Sequence, residues 1–266
     1  MIKKALTIAG SDSGGGAGIQ TDLKTFENTG VFGMSAITAV TAQNTLGVTA
    51  IHYIPAPVVA AQIDAVLSDL GADAVKIGML GNAEIAATVA AKLREYRLEK
   101  VVLDPVMVAT SGDLLLEENA VAVVREKLIP LALIITPNKH EAELLAGMKI
   151  SGLETAREAA RRIHHLGAKG VLLKGGHFQG DTAIDLYYDG AVFHEFAKPR
   201  IATRNQHGTG CTLAAAVAAY LCFDLPPVEA IARAKDYVWQ RLQAASRHRL
   251  GAGSGPICLP MQSHHP

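Results

Sequence analysis

The chain has 266 residues, 49% of them hydrophobic and 19% charged, enough for one large α/β domain or two small ones and too apolar for long disorder. Lysine plus arginine equals aspartate plus glutamate at 25 each, and aromatics make only 5%, so neither charge nor base stacking argues for nucleic acid or an anionic membrane. Three cysteines, Cys211, Cys222 and Cys258, form neither a disulfide framework nor a CxxC pair, which fits a reducing compartment and disfavours structural zinc.

In chain order, β-branched runs alternate with helical patterns. Residues 5–9 predict a strand, 19–28 a helix, 35–41 and 48–54 two strands, and 57–70 a helix opened by Pro57. Next come a strand at 74–77, a helix at 83–96, a strand at 100–104, a helix at 117–128, a strand at 133–136 and a helix at 140–145. A helix at 155–166 and a strand at 170–174 follow. Asp189-Gly190 between runs 183–188 and 192–196 signals a hairpin, hence an antiparallel edge, and helices at 210–221 and 228–245 complete the set. The alternation implies right-handed βαβ units on a mostly parallel central sheet covered on both faces. No linker or repeat divides it, so a single domain over 1–266 is expected. No apolar run approaches the ~18 residues of a membrane span, and Ser11-Asp12-Ser13 ends the N-terminal apolar stretch too soon for a signal peptide. A soluble, cytoplasmic protein is expected.

In such a sheet ligands sit outside the carboxyl ends of strands, so the polar residues that end strands are the candidates. The most informative run is His207-Gly208-Thr209-Gly210-Cys211-Thr212, which opens a very apolar helix. Its free N–H groups and small residues suit an anion, and Cys211 stands where a helix start favours thiolate. It reads as a hole for a transferring phosphoryl group or as a plain turn into a buried helix. The loop Gly10-Ser11-Asp12-Ser13-Gly14-Gly15-Gly16-Ala17-Gly18 matches neither GxxxxGK[ST] nor GxGxxG. It is either a strand-to-helix turn or a backbone-lined substrate floor, with Asp12 or Asp22 as a polar contact.

Four further strand ends carry chemistry. Gln43 offers donor and acceptor together, which suits the edge of an aminopyrimidine. Asp104, before Pro105, orients metal-bound water or a substrate hydroxyl, or opens a turn. Asn138 and Glu141 have the spacing of a variant capping box, and also the oxygen chemistry of a magnesium site. Lys174, beside Gly175 and Gly176, reaches nucleotide phosphates or is a solvated lysine.

Together these residues resemble the hydroxymethylpyrimidine/phosphomethylpyrimidine kinases of thiamine biosynthesis, in the ribokinase-like superfamily. The resemblance runs from about Leu6 to about Leu242, through Thr7-Ile8-Ala9-Gly10-Ser11-Asp12, Gly15-Gly16-Ala17-Gly18-Ile19-Gln20, Ala42-Gln43-Asn44-Thr45, Lys76-Ile77-Gly78-Met79-Leu80, Asp104-Pro105-Val106-Met107, Thr136-Pro137-Asn138, Leu173-Lys174-Gly175-Gly176-His177 and the Gly208–Cys211 run. It implies a Rossmann-like αβα sandwich and two ATP-dependent steps, from the hydroxymethylpyrimidine to its monophosphate and then to its diphosphate. Carried over, Gln43 pairs with the pyrimidine; Gly10, Ala17, Met79 and Val106 line its pocket, with Asp22 at its polar edge. Cys211 sits beside the acceptor hydroxyl, where most ribokinase-like enzymes have aspartate, and Gly208, Thr209 and Gly210 supply the anion hole. Lys174, Asn138 and Thr209 face ATP, Asp104 and Glu141 organise magnesium, and the partners are the small pyrimidine, ATP and a second copy in a homodimer. The alternative is a pyridoxal/pyridoxine kinase, or dual activity. The family closes its glycine-rich tail on an Asn-His pair, whereas here residues 251–256 run into Ile257-Cys258. A lid near nucleotide is the expectation for those glycines.

Overall fold

Lys4–Asp12 is buried along most of its length and forms β1, the strand around which the sheet is built. The computed structural model describes residues 1–107, 118–175 and 180–260. β1 pairs in parallel with β2 (Phe32–Gln43) on one side and with β4 (Ala74–Ile77) on the other. The sheet then continues through β5 (Val101–Leu103), β6 (Ile134–Ile135) and β7 (Val171–Leu173), all parallel. β3 (Val48–Tyr53) lies beyond β2, while β8 (Thr182–Tyr188) and β9 (Phe193–Pro199) extend the far side, giving nine strands in the order β3-β2-β1-β4-β5-β6-β7-β8-β9.

The expected antiparallel hairpin is there, but β3 is antiparallel as well, so both ends of the sheet differ from its centre. The cause is the short turn after Gln43, since parallel neighbours need a long crossover. β4, β5, β6 and β7 are buried at every position because helices cover both faces. On one face lie α1 (Gly18–Asn28), α7 (Thr209–Leu221) and α8 (Pro227–Ala245), around Phe26, Val217 and Ile231. On the other lie α2 (Ala56–Asp69), α3 (Ala83–Glu95), α4 (Glu118–Val123), α5 (Lys139–Ala146) and α6 (Leu153–His164), around Ile63, Val89 and Ile163. Burying one such Ile or Phe contributes about 1.5–3 kcal/mol.

The helix expected at 117–128 begins outside the described residues, and its far end departs from regular α geometry. After α4 the backbone widens into a π turn at Val124–Leu128 and tightens into a 3₁₀ turn at Ile129–Leu131, where Pro130 has no N–H to continue the ladder. Among the described residues no helix is long and apolar enough to cross a membrane.

Strand order reverses between β1 and β4, the switch point at which α/β sheets open a crevice outside their carboxyl ends. β1 also bulges between Ala9 and Ser11. A Cβ on the intervening Gly10 would meet the Met79 sulfur at 3.0 Å, so glycine lets the bulge pack under the crevice floor.

Candidate active site

At this crevice lies a cavity of about 1370 Å³, lined by residues from the ends of β1, β2, β4, β5 and β7 and from the start of α7. Gly10, Ala17, Gln43, Met79, Val106, Asp104, Asn138, Glu141, Lys174, Gly208, Thr209, Gly210 and Cys211 all line it. Thus every site residue expected from the sequence reaches this one cavity except Asp22. Gly176 and His177 lie outside the described residues. Thr38 Oγ1 donates to the Met79 carbonyl at 2.6 Å, and Met79 packs with Ala39 and Val106 to give an apolar wall. Gln43 stands at the rim, its Oε1 accepting from Thr41 Oγ1 at 3.1 Å.

Asp12 organises the glycine loop. Its carboxylate accepts from the backbone of Gly14, Gly16 and Ala17 at 2.8, 3.0 and 2.8 Å, and His207 Nε2 sits 2.8 Å from its Oδ2. Burial pushes its pKa up, but His207 and the Ala17 and Gly14 N–H groups outweigh that and hold it below the ordinary carboxylate value. The loop lies hard against the start of α7: a Cβ on Gly16 would come within 2.4 Å of the His207 ring. Gly208, at φ +78°, is the N-cap, and a Cβ there would meet the Gly16 carbonyl at 1.9 Å. Asp12 therefore shapes the floor rather than being free to contact substrate.

Asp22 corrects the expectation of a polar pocket edge. It is wholly buried beneath the cavity, where its Oδ2 takes Thr7 Oγ1 at 2.7 Å and Lys76 Nζ at 2.8 Å. The residue that lines the cavity is Lys76, itself fully buried. A buried ammonium needs a carboxylate, and Asp22 is turned inward to supply it. Burial opposes the Lys76 charge, yet Asp22, Cys211 and Asp104 together raise its pKa. Nothing in the pattern of β4 except its one charged residue signals this pair.

Cys211 also departs from expectation. The Lys76 charge and an N–H bond from Gly18 favour its thiolate, but burial dominates, and Asp104 and Asp22 add to it, so the pKa is pushed up to about 11. At that value the group is a neutral thiol near neutral pH. Desolvation exceeds what the Lys76 charge and the Gly18 N–H contribute.

Lys174 Nζ lies 2.7 Å from Asp104 Oδ1 and 3.9 Å from Glu141 Oε2. Thr136 Oγ1 also donates to Asp104 Oδ1 at 3.2 Å. Glu141 and Asn138 do form a capping box on α5: the Asn138 N–H reaches Glu141 Oε2 at 2.7 Å, and the Glu141 N–H reaches Asn138 Oδ1 at 3.0 Å. Glu141 is buried, which pushes its pKa up; Lys174 opposes this, Asp104 adds to it, and the pKa stands at about 7. A Cβ on Gly210 would lie 3.1 Å from Lys174 Nζ and 4.0 Å from Asp104 Oδ2, so the α7 start, the lysine and the two acids share one small volume. Among the described residues no group of three His, Cys, Asp or Glu could hold a metal unaided.

A second buried ion pair lines the cavity and was not anticipated. Lys235 Nζ of α8 lies 2.7 Å from Asp185 Oδ2 of β8, whose Oδ1 accepts from the Gly175 N–H at 2.8 Å. The tail glycines differ from the expected lid. The Gly253 and Ser254 N–H groups donate to Thr45, and Gly255 accepts from the His207 N–H at 3.0 Å, so the tail packs on the β2–β3 turn and outside the main cavity.

The phosphomethylpyrimidine kinase family model matches residues 12–258. The chain belongs to that family. The hydroxymethylpyrimidine/phosphomethylpyrimidine kinase of Rhizobium meliloti is 54% identical over 259 residues, covering 97% of each chain. The thiamine biosynthesis bifunctional protein ThiED of Geobacter sulfurreducens is 55% identical over 95% of this chain, which spans about half (51%) of that longer protein. Among solved structures, the pyridoxal kinase of Staphylococcus aureus in complex with AMP-PCP and pyridoxal superposes with a TM-score of 0.88 at 36% identity, covering 96% of this chain and 93% of that one. As a phosphomethylpyrimidine kinase family member the chain has the ribokinase-like α/β fold and is a phosphotransferase with ATP as co-substrate.

Proposed function

We propose that this kinase phosphorylates 4-amino-5-hydroxymethyl-2-methylpyrimidine to its monophosphate and then to its diphosphate, for thiamine biosynthesis. The observation that carries the reading is one cavity holding a heterocycle-sized apolar wall with an amide at its rim, and a helix start with two acids and a lysine. Gln43 pairs with the ring nitrogen and amine of the pyrimidine between Gly10, Ala17, Met79 and Val106. The acceptor oxygen faces Cys211, forms a bond to the γ-phosphorus of ATP, and the bond to the departing ADP oxygen breaks. The N–H groups at Gly208, Thr209 and Gly210 take the charge on the transferring group, and Lys174 with Asn138 approaches the nucleotide phosphates. Asp104 and Glu141, two buried acids whose proximity adds to the burial that raises Glu141, would hold a magnesium ion, which would supply charge neutralisation. The alcohol proton leaves to the thiolate form of Cys211, a minor species at neutral pH because the thiol is held at about 11, while the monophosphate acceptor is already ionised and needs no base.

The likeness to a pyridoxal kinase favours a second reading, phosphorylation of pyridoxal, alone or beside the pyrimidine. Gln43 separates the two, since pyridoxal lacks the matching amine. Mass spectrometry of products from the hydroxymethylpyrimidine, its monophosphate and pyridoxal, each with ATP and magnesium, tests both. Mono- and diphosphate from the pyrimidine are expected; product from pyridoxal alone transfers the assignment, and no product from any overturns it. We further propose one domain acting in the cytoplasm as a homodimer joined through the β3 edge. That strand carries no charged residue or proline, whereas β9 carries Glu195, Lys198 and Pro199.

A further inference from the structure

A second cavity, of about 600 Å³, lies apart from the catalytic groups, between the end of α8, the segment leading into α7 and the glycine-rich tail. Arg204, Asn205, Ser246, His248 and Arg249 line it with Thr203, and no acidic residue does. In a chain with as many acids as bases this is a local excess of positive charge. The guanidinium groups of Arg204 and Arg249 enter no ion pair among the described residues, whereas Arg157, Arg161, Arg162 and Arg233 each pair with a glutamate. The walls are firmly built. Asn205, itself buried, donates both amide hydrogens, to the carbonyls of Ala245 at 2.6 Å and His248 at 2.7 Å, tying the segment to the end of α8. Ser254 Oγ donates to the Arg204 carbonyl at 3.2 Å and fixes the tail as the third wall.

Two guanidinium groups without an ion-pair partner, on exposed residues that line a polar cavity, suit a planar or tetrahedral oxyanion, since arginine forks hold such oxyanions through paired bonds. The volume exceeds what one bare phosphate fills. We propose that this cavity is a second ligand site, separate from the kinase centre, that binds the diphosphate group of a small phosphorylated molecule through Arg204 and Arg249. Thr203 and Ser246 offer hydroxyls to the remaining oxygens, and Ala202 and Thr203, which line both cavities, form the partition between the two sites.

The site is tested by isothermal titration of the full chain with inorganic pyrophosphate while a non-hydrolysable ATP analogue, magnesium and the pyrimidine fill the main cavity. Binding at one equivalent per chain, weakened by raising salt, is expected. The Arg204→Gln/Arg249→Gln double variant weakens it by about tenfold or more with turnover unchanged, so that loss of folding is distinguished from loss of the site. ADP added to the same filled protein separates the sources: equal binding shows that the diphosphate group alone is read, and binding of pyrophosphate only shows that a nucleoside is excluded. Absence of pyrophosphate binding once the main cavity is filled, or equal binding by the double variant, overturns the proposal. The readout is a binding heat and stands whether or not the pyrimidine is the kinase substrate.

Discussion

At the scale of single residues, two groups decide the chemistry and both are governed by burial. Cys211, at about 11, is protonated near neutrality, so a base role makes kcat/KM for the first phosphorylation rise with pH, by up to tenfold per unit between about pH 7 and about pH 9. Cys211→Ser flattens that profile, and Cys211→Ala lowers the first step on the order of 100-fold while sparing the second. Near-normal turnover of the alanine variant in the first step sinks the role. Beneath it, Asp22 and Lys76 form a fully buried ion pair in which each is the other's direct partner. Asp22→Asn or Lys76→Met alone costs about 3–5 kcal/mol in denaturant unfolding, and Asp22→Leu with Lys76→Met together restores most of it. Single losses below about 1 kcal/mol contradict a fully buried pair.

At the scale of elements, the capping box of α5 shows one side chain serving two ends. Glu141 closes the helix start and is buried beside Asp104; burial first and Asp104 second outweigh the capping N–H and Lys174, and raise its carboxyl from an ordinary 4.5 to about 7. With the folded value raised, the native state holds a proton that the unfolded chain has lost, and stability falls as pH rises through that window. Glu141→Gln keeps an acceptor for the Asn138 N–H and removes the titration. Its stability relative to the wild type therefore grows from about pH 5 to about pH 8, by on the order of 2 kcal/mol; thermal melts at both pH values check this, and a constant difference contradicts it. Elements were legible where periodicity and turn chemistry speak locally: β1, β4, α7 and the β8–β9 hairpin stand close to their expected places. The antiparallel sense of β3 and the loosened end of the helix after α4 were not, because they follow from turn length and from Pro130 in context. The same holds for the site. Strand-end polar residues announced themselves, whereas Lys76, Asp185 and Lys235 sit in strand or helix interiors where only tertiary pairing gives a charge its meaning.

At the scale of the whole molecule, the sheet has one guarded and one open edge. In sedimentation velocity the wild type is expected as a dimer, and Ala50→Lys, at an exposed position of β3, shifts it toward monomer because a lysine there blocks strand addition. A wild type that stays monomeric at every concentration removes the β3 edge from consideration. Filling the main cavity is independent of that edge, so ATP analogue and pyrimidine raise the melting temperature of the lysine variant as they do that of the wild type.

The clamp between Asp12 and His207 joins residues 195 apart in sequence. During synthesis the glycine loop leaves the ribosome long before the side chain that completes its anchor is made. A nascent chain that stops short of His207 thus carries Asp12 with only the N–H groups of its own loop as partners, and no α7 to press against. The pocket floor therefore waits for its final anchor on a segment made 195 residues later.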